Sequence, residues 1–332
     1  MKNPLVSVLI PAFNHEDYVQ ESIKSVINQS YENIELIVID DGSSDFTWKK
    51  ILELKAECEK RFISVCFKTQ DNIGASKTIE QLLSTAKGKY IYIIASDDMA
   101  ESFAIEKQVK FLETNPDYGC VVGDSAFVDF KGDYCYWKNN NKDITYIEDN
   151  AEYKTFVSFL KKWFNYFNDT DFGTYRTLYK SNYIPNGYLI RKSLIDKYVK
   201  FPKEQVLEDW FLMLQLSKYT KFKYINKVLY LYRWHQDNTV TKNFVISLIA
   251  KNLRDYEYKI DQEICENKDL QKELLPGVLK YIKANITYYR FGELYKRFGI
   301  PLIFEFLKYK KNGIKTKLIK IINVTLFKWE VK

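Results

Sequence analysis

One phrase, repeated through the first hundred residues, constrains this chain most: a short apolar run, then a polar cluster, then a helical period. Residues 5–10 (LVSVLI) are a β-branched apolar run, the pattern of a strand buried on both faces. Pro11-Ala12-Phe13-Asn14-His15 breaks it, and Val19, Ile23, Val26 and Ile27 then recur at helical spacing. The run 34–39 (IELIVI) ends on Asp40-Asp41-Gly42-Ser43-Ser44-Asp45, turn chemistry that can also cap the helix expected over 46–60. A third run (63–68), a helix over 75–86 and a fourth run (90–95, YIYIIA) stopping at Ser96-Asp97-Asp98 complete the series. Strands alternating with helices predict an α/β, Rossmann-like fold: a mostly parallel sheet with helices on both faces. Ligands of such sheets sit beyond the carboxyl ends of the strands. The clusters at 11–15, 40–45 and 96–98 all fall there.

Downstream, a helix is expected over 104–112 and a strand over 119–123. Residues 131–180 are polar and aromatic with weak periodicity, which predicts irregular structure with some helix at 151–165. Residues 206–218 read as helix, 222–232 as a strand or two, and 243–332 as mostly helical. A chain of 332 residues exceeds what one core usually spans, so a large domain with an appendage is expected.

The net charge of +7 suits anionic partners such as nucleotide diphosphates or phospholipids. Five cysteines without a C-x-x-C pair, and only two histidines, argue against a disulfide framework or a zinc site and for a reducing cytoplasm. No signal-peptide pattern is visible, and no apolar run approaches the ~18 residues of a spanning helix. A soluble or peripheral protein is expected.

The acidic pairs carry the chemistry. Asp97 and Asp98 follow an apolar strand directly, where a cation, hydrogen-bond donors or a proton must relieve their repulsion. Alone, this pair or Asp40-Asp41 reads equally as a helix cap; two pairs on one sheet edge favour a ligand site. Glu208-Asp209-Trp210 precedes an amphipathic helix, so it is either first-turn charge or a general base beside an aromatic that can stack on a sugar. His235 is either structural or a ligand. Transfer of a sugar from a nucleotide diphosphate would employ all of these groups. It needs the nucleoside gripped, the leaving charge neutralised by Mg²⁺ or Mn²⁺ on carboxylates, and a base for the acceptor hydroxyl.

Together these segments resemble the inverting bacterial glycosyltransferases of family 2, of the O-antigen and capsule type, which have the GT-A fold. The likeness runs over about residues 5–240, through VSVLIPAFNHEDYV, IDDGSSD, DNIG, AKGKYIYIIASDD, VLEDWFLMLQL and VLYLYRWHQDNTV. It implies that Pro11, Ala12 and Phe13 lie along a uracil ring and that Asp41 accepts from its imide N–H. Asp97 would contact the ribose or the metal, and Asp98 would bind the metal bridging the diphosphate. Asp209 would be the base, with Glu208 its neighbour. Trp210 and Asp124 would face the acceptor, and His235 would reach the metal or diphosphate. Two departures stand out. Ala95 replaces an acid frequent in relatives, and Ile79-Glu80 replace an Arg-Asn pair, leaving Lys77 as the candidate cation for the diphosphate.

The function so implied is transfer of a hexose, glucose or galactose, from a UDP-sugar. The acceptor would be a sugar or oligosaccharide, GlcNAc or GalNAc on a polyprenyl diphosphate, joined by a β-linkage. A sugar nucleotidyltransferase would need a Gly-rich basic loop where this chain has PAFNHEDY. A non-catalytic sugar-binding module would not need Asp41, Asp98 and Asp209 together. No nucleic-acid partner is expected. Residues 1–125 are expected to hold the donor, 126–240 the acceptor, and 241–332 to form a helical, basic region. Residues 306–332 carry eight Lys against one Glu, either a solvated helix or a segment that docks on an anionic membrane at the inner face of the cell.

Overall fold

The expected strands form because their residues are buried on both sides. In β1 (Val6–Ala12) every residue but Pro11 is buried, and in β2 (Ile34–Asp40) every residue is. This computed structural model describes residues 3–203, 206–235, 238, 243–298, 305–311, 314–321 and 324–331. Around β1 and β2 follow α1 (Val19–Ile27), α2 (Thr47–Glu53), α3 (Lys55–Arg61), β3 (Ser64–Thr69), α4 (Ala75–Thr85) and β4 (Tyr90–Ile93). The single helix expected over 46–60 is two, parted at Leu54. Then come β5 (Met99–Ala100), α5 (Ala104–Thr114), β6 (Tyr118–Val128), β7 (Tyr134–Trp137) and β8 (Ile144–Thr145). The weakly periodic segment holds two short helices, α6 (Phe156–Leu160) and α7 (Tyr175–Leu178). After it come β9 (Leu189–Arg191), α8 (Lys192–Tyr198), α9 (Glu208–Leu216) and β10 (Lys221–Arg233).

The main sheet has the order β3-β2-β1-β4-β9-β6-β10-β5, with β7 and β8 branching from β6. Val8 pairs with Leu36 on one side and Tyr92 on the other, and this centre packs against Val19, Ile23 and Val26 of α1. β9 runs antiparallel to both β4 and β6, so β6 and its parallel partner β10 point the same way as β1 to β4. All six of those strands therefore present their carboxyl ends on one edge. The chain steps outward from β1 to β3, then returns to place β4 on the other side of β1. That reversal is the topological switch point, where such sheets open a crevice. β10 reaches the same edge as one long strand whose register slips around Val228, a bulge that re-aims the residues after it.

Two compact units are distinguished, Met1–Leu253 and Arg254–Lys332. The expected helices appear as α10 (Asn243–Glu266), α11 (Lys268–Glu273) and α12 (Val278–Phe298). The helical expectation fails beyond them. β11 (Glu305–Lys311), β12 (Ile314–Ile321) and β13 (Val324–Val331) form an antiparallel sheet. The sequence carries the reason: Lys315, Lys317 and Lys320 interleave with β-branched residues, and Asn312-Gly313 is a favoured hairpin pair. Among the described residues, no helix is long and apolar enough to cross a membrane.

Candidate active site

The strand-end clusters meet in a cleft of about 820 Å³. Pro11, Ala12, Phe13, Asp41, Asp97, Asp98, Glu208, Asp209 and His235 all line it.

At one end, the Asp41 backbone N–H donates to the Ala12 carbonyl at 2.8 Å, tying β2 to β1 past their last paired residues. The Asp41 carboxylate accepts from the N–H groups of Ile73 at 3.0 Å and Gly74 at 2.9 Å, and from Gln70 Nε2 at 3.0 Å. Burial alone would raise this carboxyl, but those donors outweigh it and hold Asp41 below the usual range. Gly42 makes the turn possible: its φ is +74°, and a Cβ there would lie 2.7 Å from the Asn72 nitrogen. Phe13 stays 45% exposed beside it, an open aromatic face at the cleft.

At the centre, Asp97 follows β4 and meets both histidines of the chain. Its Oδ2 lies 3.1 Å from His235 Nε2 and 3.8 Å from His15 Nε2. Burial raises Asp97, yet the His235 hydrogen bond and the two imidazoles pull it below its ordinary value. Asp98 is different. Its Oδ1 accepts from the Arg233 backbone N–H at 2.8 Å and its Oδ2 from Tyr230 Oη at 2.9 Å. Burial and the Asp97 charge push Asp98 well above the usual carboxylate range. Asp98 thus ties the segment after β4 to β10 through both of its oxygens, whereas Asp97 faces the two histidines. Among the described residues, ligand atoms of His15, Asp97 and His235 gather within 4.8 Å of one another.

Opposite, α9 begins with Glu208 and Asp209. The Asp209 carboxylate accepts from Asn182 Nδ2 at 2.9 Å and from the Trp210 N–H at 2.6 Å. Burial raises it, and those donors partly offset the effect. Burial and the neighbouring Asp209 charge push Glu208 up to about 7. A carboxyl raised in the folded state favours folding while protonated. Its contribution is present below the ordinary glutamate value of 4.5 and is lost as pH climbs through about 7. Glu208→Gln is therefore expected to be more stable than the parent at pH 8, by up to about 3 kcal/mol, with the gain shrinking toward pH 5. Thermal melts at both pH values check this; an equal difference at both would remove the assignment.

Three expected site residues lie elsewhere. Lys77 is exposed because α4 turns Ser76, Thr78 and Ile79 inward, which carries Lys77 to the solvent side. Trp210 is core: only 6% exposed, it donates from Nε1 to the Leu178 carbonyl at 2.7 Å. Asp124 is buried and closes the start of α6, accepting from Thr155 Oγ1 at 2.8 Å and the Val157 N–H at 3.0 Å. The sequence placed His15 in the first strand-end cluster but gave it no role, and it gave none to Tyr18, Asn186, Tyr188, Tyr230, Tyr232 or Asn238; all seven also line the cleft. Tyr230 and Tyr232 could have been found from their period of two at the end of β10. Tyr18 had no signal beyond following that first cluster.

The two imidazoles are the basic side chains of the lining; no Lys or Arg lines the cleft among the described residues. A diphosphate there would need its charge met by a cation, and one carboxylate with two imidazoles is a donor set that fits a divalent ion.

The sequence matches the model of glycosyl transferase family 2 over residues 7–193. The chain belongs to that family. This family 2 enzyme is a glycosyltransferase with the GT-A fold. It is 43% identical over 112 residues to an uncharacterized glycosyltransferase of Haemophilus influenzae, 34% of each chain. It is 38% identical over 110 residues to the UDP-Glc:alpha-D-GlcNAc-diphosphoundecaprenol beta-1,3-glucosyltransferase WfaP of Escherichia coli, 33% of this chain and 42% of that one. The matches thus span less than half of either relative. S. aureus TarS 1–349, solved with UDP-GlcNAc, superposes with a TM-score of 0.53 at 16% identity over 96% of this chain and 97% of that one.

Proposed function

We propose that this glycosyltransferase moves a hexose, glucose or galactose, from a UDP-sugar to GlcNAc or GalNAc on a polyprenyl diphosphate, with inversion to a β-linkage. The supporting observation is that Asp41, Asp97 and Asp209, distant in sequence, line one cleft at the switch point of the sheet. The name of the E. coli relative supports the choice of donor and acceptor.

Residues 1–125 then hold the donor and 126–240 the acceptor. Phe13 covers one face of the uracil, and Asp41 accepts from its imide N–H. Asp97 and His235, with His15, hold Mn²⁺ or Mg²⁺. When bound, that cation neutralises the charge that develops on the leaving diphosphate. Asp209 takes the proton from the attacking hydroxyl. Glu208, raised toward neutrality, keeps its proton part of the time and so spares Asp209 a second charge alongside. Asn186 and Tyr188 line the same cleft, where an acceptor sugar would meet them. A lipid-linked acceptor puts the enzyme at the inner face of a bacterial membrane, where the lysines of residues 306–332 meet anionic lipid.

The test is a panel of UDP-sugars against lipid-diphosphate GlcNAc and GalNAc, offered in detergent and in anionic liposomes. One UDP-hexose should be turned over, faster on liposomes, and EDTA should stop it until Mn²⁺ or Mg²⁺ is restored. Turnover of no UDP-hexose sinks the donor assignment. Full activity in EDTA sinks the metal, and no gain on liposomes sinks the membrane.

A further inference from the structure

The chain has only two histidines, and both converge on one carboxylate. They come from the ends of β1 and β10, while Asp97 comes from the end of β4. His15, Asp97 and His235 thus meet because three parallel strands end together. Asp98 does not compete for an ion, since both of its oxygens serve Arg233 and Tyr230.

Both rings are held in place by their neighbours. His15 Nδ1 lies 2.7 Å from Ser96 Oγ, and the His15 backbone N–H donates to Thr47 Oγ1 at 2.7 Å. With Nδ1 as the donor to Ser96, Nε2 turns its lone pair toward Asp97. The turn before it is clamped too: Asn14 has φ 52°, its N–H donates to Ser43 Oγ, and its side chain accepts from the Ser44 N–H. His235 stacks on Tyr18 with 4.9 Å between ring centroids, and its backbone N–H donates to Asn238 Oδ1 at 2.7 Å. Outer contacts of this kind fix ring orientation in metal sites.

We propose that His15 completes, with Asp97 and His235, a two-imidazole, one-carboxylate face that binds a divalent transition-metal ion before the sugar nucleotide arrives. The ion takes the place of the proton shared by His235 Nε2 and Asp97 Oδ2. This deepens the glycosyl-transfer reading, on which it rests for the diphosphate oxygens that complete the coordination. A lone carboxylate would need the nucleotide to hold a cation. Three protein donors do not, and nitrogen donors set a preference. Imidazole favours the later transition metals, whereas Mg²⁺ keeps to oxygen. The expected order is Co²⁺ tighter than Mn²⁺, and both far tighter than Mg²⁺.

The experiment titrates the full chain with Mn²⁺ in the absence of nucleotide, following loss of the free-ion signal by electron paramagnetic resonance. One ion per chain is expected, displaced by Co²⁺ at comparable concentration but not by a large excess of Mg²⁺. The pulsed spectrum of the bound ion should show two imidazole nitrogens in the parent and one in His15→Ala. Affinity should fall at least tenfold in His15→Ala and in His235→Ala. The selectivity and the nitrogen count are read on the parent chain, so a variant that misfolds leaves the test intact. No binding without UDP, a single nitrogen in the parent, or easy displacement by Mg²⁺ would overturn the proposal. If the ion binds as expected while no UDP-sugar is turned over, the metal face stands and the transfer reading fails. If transfer proceeds but the ion binds only with UDP, the reverse holds.

Discussion

Asp209→Asn is expected to lower turnover about a thousandfold, within the 10²–10⁴ range of a positioned general base. The substitution keeps the shape of the side chain and its contact with Asn182, but removes the group that can take a proton. Donor binding should change less than about threefold by calorimetry with UDP, because Asp41 and Phe13 belong to the other strand ends of the cleft. The loss should therefore fall in kcat, as for an interaction made only in the transition state. Glu208→Gln is the internal comparison. It removes the coupled neighbour but not the base, so its turnover should fall less than tenfold. Normal turnover by Asp209→Asn would end the base assignment. A large loss in Glu208→Gln with little in Asp209→Asn would exchange the two roles.

The second large effect falls on stability. Arg233 is fully buried at the end of β10. Its Nε donates to the Asp97 carbonyl at 2.7 Å and its Nη1 to the carbonyls of Asp129 and Phe130 at 3.1 and 3.2 Å. Its Nη2 reaches Glu21, and the guanidinium lies 5.0 Å from the Tyr18 ring centroid. Arg233→Met keeps the length but strands three carbonyls and removes the positive charge. Breaking a buried charged network of this kind costs about 3–5 kcal/mol, or a melting temperature lower by about 10 °C. Arg233→Lys should recover little, since a point charge cannot replace a planar fork. Glu21→Gln should cost under ~1 kcal/mol, because Glu21 is 45% exposed and screened by water. A melt of Arg233→Met within about 1 kcal/mol of the parent would show that the network is dispensable. The same arginine holds the Asp97 backbone, so the structural prediction and the placing of the proposed metal face share one cause.

Much of this was legible in local pattern. The runs at 5–10, 34–39 and 90–95 are buried strands because only a parallel sheet covered on both faces hides so many β-branched residues. Since such strands share a direction, the acids after them had to share an edge. That is why Asp41 and Asp97 could be placed together from sequence. Asp209 belonged with them only through family resemblance, because nothing local says where α9 will dock. The failures share a cause as well. Trp210 and Asp124 were expected to face the acceptor, but where a side chain lies depends on which way its element turns. α9 turns its aromatic into the core, and β6 turns its acid onto α6.

Sequence by itself determined the α/β class, the edge that carries the site and the family, because strand burial, turn chemistry and motif order are local properties. Tertiary structure alone set the different surroundings of the adjacent acids Asp97 and Asp98. The turn between β4 and β5 sends one acid to Tyr230 and the Arg233 backbone and the other to two histidines. Which donors reach a carboxylate is set by elements remote in sequence, from both the start and the end of the sheet, and no local pattern records that.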